Sequence, residues 1–212
     1  PGVFAQRLDE SADFLRQLDN QRAAISALSL PGPDSFALYT RAIDLNLAAV
    51  SSVAPRLSNA DMMRRLTVYT LFLQAKEQAG RERATLNAAF AANKAFDLPL
   101  FNRLAGILAN QESYLNNFRT MASPAEIDAL DRLLASPPAQ ETASMRNIAL
   151  KKAAEGEFGV APSLWFATIT RKIEAMKGLE DQIASGTIGA AGELQQASRN
   201  GLILAVLLSV LT

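Results

Sequence analysis

Cysteine and histidine are both missing from the 212 residues. Their absence removes thiol chemistry, disulfides, the usual zinc sites and every catalytic triad that needs an imidazole. Neither sign of charge is in excess: 21 Lys and Arg face 21 Asp and Glu. No basic surplus is available to release counterions from phosphates, so no nucleic-acid partner is expected. No Glu-x-x-His pair or acidic loop with ligand spacing occurs, so neither a metal nor a cofactor is expected. Strand-like alternation, a Gly-rich phosphate loop and an internal repeat are also lacking. These absences together argue against an enzyme. An absence of cysteine fits the bacterial periplasm. No initiator Met, signal sequence or apolar anchor precedes Pro1-Gly2-Val3, which reads as the tail of a loop.

What remains is an apolar fraction of 49% in helical spacing, ample for one domain or two stacked helical subdomains. Phe4, Leu8, Phe14, Leu15, Leu18, Ile25 and Leu28 predict a helix over 4–28, closed by Pro31-Gly32-Pro33. Asp34 or Ser35 can cap the next, over 36–53, with Phe36, Tyr39, Ile43, Leu47 and Val50 on one face. Asp97 caps a helix with Pro99 in its first turn, and Gln111 interrupts that helix's apolar stripe. Ser123-Pro124-Ala125-Glu126 opens a shorter helix, and another spans 139–154. Ser163 is the expected cap of the last one, with Trp165 near its top as a core anchor between subdomains. The glycines between 185 and 192 weaken that helix. The fold class is all-α: antiparallel helical bundles, elongated along one long helix.

That long helix, over 59–92, organises the chain. At about 1.5 Å per residue it spans roughly 50 Å. Met62, Leu66, Tyr69, Leu73, Lys76, Gly80, Arg83, Asn87 and Phe90 share one stripe, apolar above and polar below. A cation on a buried face is costly unless something negative meets it. Two explanations stand. Lys76 and Arg83 pair with carboxylates such as Glu77, Glu82 or Glu157, or snorkel to the bundle edge. Alternatively, an anion pocket lies between helices, where Gly80 admits a partner backbone and Arg83 offers a planar donor fork. Arg22 reads as surface.

The last twelve residues carry no charge. A bilayer span needs about 20 apolar residues, so residues 199–212 read as the start of a transmembrane helix, and 1–198 as the sensing domain.

The run Lys76-Glu77-Gln78-Ala79-Gly80-Arg81-Glu82-Arg83-Ala84, with Leu86, Phe90 and Phe96 after it, resembles the nitrate- and nitrite-sensing (NIT) domain of bacterial signalling proteins. So do Gln111-Glu112-Ser113-Tyr114-Leu115-Asn116-Asn117-Phe118 and Gly159-Val160-Ala161-Pro162-Ser163-Leu164-Trp165-Phe166, followed by Thr170 and Lys172-Ile173. The likeness runs over 4–183. It implies two four-helix bundles sharing long helices, with nitrate or nitrite held by arginines at their junction. With the apolar tail it implies a homodimeric chemoreceptor-like protein of the bacterial inner membrane. The domain would be periplasmic, anchored through the C-terminal helix, and would signal to a chemotaxis module or kinase. Arg83 matches the motif arginine; Lys172, or Arg171 in its place, matches a basic position after Trp-Phe. With Lys76, Gly80 and Gln111 these make up the candidate ligand-binding set. The family opens with a Leu-Gln-x-Glu-Arg-Gly-like helix, and nothing before Phe4 supplies it.

Overall fold

The computed structural model describes the backbone of residues 2–210 and the side chains of 2–197. The fold is all-α, and no strand forms among the described residues. Two compact units divide the chain, one reaching Thr70 and the other starting at Leu71.

The first unit holds α1 (Val3–Arg16), α2 (Leu18–Ser26), α3 (Gly32–Ser51) and the start of α4 (Ala60–Ala92). The single helix expected over 4–28 breaks at Gln17, whose N–H bonds Phe14 O three residues back. Neither proline nor glycine marks that break in the sequence. On α3 the buried residues are Ala42, Leu45 and Ala49, while Tyr39 and Ile43 of the expected face are exposed. Beside that face Ser11 on α1 donates to Asn46 Oδ1 at 3.1 Å, and Asn46 donates to Ala42 O at 2.8 Å. Asn59 caps α4 as expected, accepting from Met62 N–H at 2.9 Å.

The second unit holds the rest of α4 with α5 (Leu98–Met121), α6 (Pro124–Leu134), α7 (Pro137–Lys151) and α8 (Pro162–Val210). The stop and start signals act as their chemistry dictates. Asp97 accepts from Leu100 N–H, and Ser123 with Glu126 forms a reciprocal capping box. Ser163 is no cap, since α8 already starts at Pro162 and Trp165 N–H bonds Ala161 O. The glycines at 186, 189 and 192 leave α8 unbroken. Trp165 lies fully buried in this unit's core with Leu86, Phe90, Leu104, Phe158 and Ile169. It meets Phe90 edge-on at 5.5 Å, and its indole N–H donates to Arg83 O at 3.0 Å. Its anchoring role is therefore internal to one unit.

The inward stripe of α4 in this unit is Phe72, Ala75, Ala79, Glu82, Leu86 and Ala89, one position off the expected stripe. Lys76, Gly80, Arg83 and Asn87 fall at its margin, half-buried. The charge that α4 buries is thus a carboxylate, not a cation. The side chains of the apolar tail expected to begin a transmembrane helix lie outside the described residues. Among the described residues no helix is long and apolar enough to cross a membrane.

The loop before α8 turns on Gly156. Its φ is +79°, and a Cβ there would sit 2.7 Å from the backbone of Lys94 and Ala95, across an isolated bridge to Lys94. Gly156→Ala is expected to cost about 1–3 kcal/mol of stability, read as a lowered urea midpoint with the slope unchanged.

Candidate functional site

Sorting the half-buried and buried cations of the second unit by what neutralises them locates its chemistry. Glu82 is completely buried and receives Arg146 bidentately, Nε at 2.7 Å and Nη2 at 2.9 Å. Such a fork is the strongest common ion-pair geometry. Lys76 on α4 pairs with Glu180 on α8, Arg81 with Glu77 at 2.9 Å, and Arg119 with Asp131 at 2.6 Å. Lys152 donates to a backbone carbonyl, that of Glu157, at 2.6 Å. Among the described residues, two of these cations have only the oxygen of a neutral side chain as hydrogen-bond partner.

One is Arg83. Its Nη1 donates to Thr170 Oγ1 at 3.1 Å, and its guanidinium lies 4.9 Å from the centre of the Phe166 ring. The indole of Trp165 fixes the backbone carbonyl of the same residue, so α8 positions Arg83 from two sides. Thr170 accepts from Arg83, which leaves its own O–H as a donor beside the unused guanidinium N–H groups. The result is a donor cluster bridging α4 and α8.

The other is Lys172, only 4% exposed. Its one hydrogen bond, at 3.4 Å, goes to Gln111 Oε1; the amide's Nε2 donates to Glu82 Oε2 at 3.5 Å. The buried amide therefore links the lysine to a carboxylate that Arg146 already occupies. Burial pushes the Lys172 ammonium below its ordinary value of 10.5, against the attraction of Glu82 and helped by the repulsion of Arg146. Lys172, Gln111 and Arg146 face a cleft of about 440 Å³ between α5, α7 and α8.

The structure therefore divides the six candidates. Arg83 stands on one face of α8, and Lys172 with Gln111 on another. Lys76 is neutralised by Glu180. Arg171 is exposed and pairs with Glu141 at 3.3 Å. No partner backbone approaches Gly80; a Cβ there would meet only Glu77 Oε2, at 3.9 Å. Helix propensity is the reason α4 tolerates Gly80 only at a cost, so Gly80→Ala should stabilise by up to about 1 kcal/mol. Glu77 and Glu82 do take cations, but Arg81 and Arg146 rather than Lys76 and Arg83. Sequence reading missed Arg146. No signal in the sequence singled it out, because Glu82 lay off the stripe of α4 expected to face inward.

The family model described as nitrate and nitrite sensing matches residues 1–188. The chain belongs to the nitrate- and nitrite-sensing (NIT) family. A nitrate regulatory protein of Klebsiella oxytoca is 23% identical over 182 residues, covering 85% of this chain and 45% of that protein. The solved structure of the NasR transcription antiterminator superposes with a TM-score of 0.85 at 21% identity, covering 93% of this chain and 53% of that one. The NIT chain thus spans about half the length of each. These relatives correct the expected localisation. A regulatory protein and a transcription antiterminator, with no described helix able to cross a membrane, overturn the periplasmic placement at the bacterial inner membrane. The tail's apolar composition had suggested that placement. The expectation of no nucleic-acid partner also does not extend to the relatives, one of which is named as an antiterminator.

Two consequences of the buried charges can be measured. Arg146→Met strands the Glu82 carboxylate and should cost on the order of 3–5 kcal/mol, a loss that Glu82→Gln in the same chain partly recovers. Unfolded, Lys172 keeps its proton up to its ordinary range; folded, it releases it earlier. Between those two values the unfolded chain binds more protons, so stability rises with pH there. Lys172→Gln should abolish that rise in urea unfolding across the alkaline range.

Proposed function

We propose that the domain senses nitrate or nitrite by holding the anion at Arg83, between α4 and α8. The observation that carries this reading is the half-buried guanidinium of Arg83, which faces a hydroxyl and an aromatic ring but no carboxylate among the described residues. A guanidinium edge matches a planar oxyanion in shape and charge, and the Thr170 hydroxyl supplies a further donor. The NIT family membership supplies the identity of the anion.

An anion seated there touches α4 through Arg83 and α8 through Thr170. It favours whichever placement of the two helices brings those donors together, and only its differential affinity for that placement can drive a signal. Helix α8 is continuous from Pro162 to Val210, so a displacement at Thr170 is carried along one rigid element.

Arg83→Gln should weaken nitrate binding at least tenfold by calorimetry while leaving the helical circular dichroism signal intact. Thr170→Val should weaken it several-fold. Unchanged nitrate affinity in Arg83→Gln removes Arg83 from the site.

A further inference from the structure

The cleft beside Lys172 is far larger than a three-oxygen anion requires. Its volume of about 440 Å³ falls in the range of pockets that enclose organic molecules, roughly 300–1,000 Å³. Its floor and its walls differ in chemistry. At the floor, Lys172 is a buried cation whose only bond is the long one to Gln111. Arg146 beside it is already committed to Glu82. Within this floor the charges are therefore two positive and one negative, and a single negative charge completes it. The walls are mixed: Leu108 and Leu115 from α5, Leu134 from α6 and Ala143 from α7 give an aliphatic strip, with the amides of Asn116 and Gln140 beside it. Nitrate would leave that strip facing water, whereas a hydrocarbon body covers it with a gain of about 25 cal/mol per Å².

The rim sets the number of charges. Arg119 there is paired with Asp131, and Glu112 presents a carboxylate. A second negative group reaching the rim would meet Glu112 and no free cation. Phosphates and dicarboxylates fit poorly for this reason.

We infer that this cleft is a second ligand site, separate from the Arg83 site, for an organic acid with one carboxylate on an aliphatic body. The carboxylate meets Lys172, and the body lies along Leu108, Leu115 and Leu134. The site lies within one unit of the fold and needs no rearrangement of α4 against α8. Its occupancy can therefore add to, or vary independently of, the response to nitrate.

Calorimetric titration of the 212-residue chain with acetate, butanoate, hexanoate, hexanol and nitrate tests the assignment. Affinity should rise about fourfold per methylene from acetate to hexanoate, and hexanol should bind more weakly than hexanoate. Lys172→Gln should weaken hexanoate at least tenfold and leave nitrate unchanged. Ala143→Phe fills the cleft without touching its floor and should remove hexanoate binding alone, and Arg83→Gln should affect nitrate alone. The assignment is overturned if hexanoate binds no tighter than acetate, if hexanol matches it, or if Lys172→Gln leaves it unaffected. It is overturned equally if nitrate and hexanoate compete and both are lost with Lys172. Failure of nitrate to bind any variant or the parent chain counts against the Arg83 reading and leaves this one standing.

Discussion

The buried pair between Glu82 and Arg146 is the interaction on which the second unit depends. A carboxylate with no solvent exposure is tolerable only when its charge and lone pairs are both met, and here a bidentate guanidinium and an amide do so together. That arrangement ties α4, α5 and α7 around one point. It also uses up the buried acid whose charge acts on Lys172, leaving α8 to bring a lysine into the core with an amide oxygen to meet it. The surplus positive charge at the core is a direct result of how Glu82 is satisfied.

A second surplus arises at the margin of α4, where Arg83 is turned toward α8 and clear of the carboxylates of its own helix. The two uncompensated cations differ in what surrounds them. Arg83 sits beside an exposed aromatic ring and a hydroxyl and suits a small planar anion. Lys172 closes the bottom of a roomy cleft with an aliphatic strip along one side and suits a carboxylate with a hydrocarbon body. Both cations meet α8, Arg83 through Thr170 and Lys172 as a residue of that helix. Neutralised pairs offer an anion little: Lys76 with Glu180 ties α4 to α8, and Arg81 with Glu77 lies within one turn of α4.

Much of the architecture could be read from residue order. Asn59, Asp97 and Ser123 cap helices for the reason their side chains predict, whereas Pro33, Pro99, Pro124 and Pro137 lie in helix first turns, and α3 starts at Gly32 without the cap expected at Asp34 or Ser35. The motif around Gly80 and Arg83 placed the chain in its family. The inward face of α4 was misplaced by one position: the stripe beside the expected one is equally helical and puts Ala75, Ala79, Glu82 and Leu86 where Lys76, Gly80, Arg83 and Asn87 were expected. That exchange reverses the sign of the buried charge. Ionic partners were equally out of reach, since Arg146 is separated from Glu82 by two helices and nothing local marks either as paired. The break at Gln17, where the N–H bonds Phe14 O, and the face of α3 that carries Ala42 and Ala49 are marked by no proline, glycine or apolar spacing in the sequence. The apolar tail misled the placement in the cell, because composition at a chain end carries no information about partners.

Anions should collect only where protein carboxylates leave a cation unmet, and anomalous diffraction from crystals soaked in bromide measures this most directly. The ordered peaks of the second unit are expected beside the Arg83 guanidinium and at the floor of the Lys172 cleft, with none at Lys76, Arg81 or Arg146. Bromide spread evenly over the exposed lysines and arginines, with neither of those positions occupied, would contradict the account.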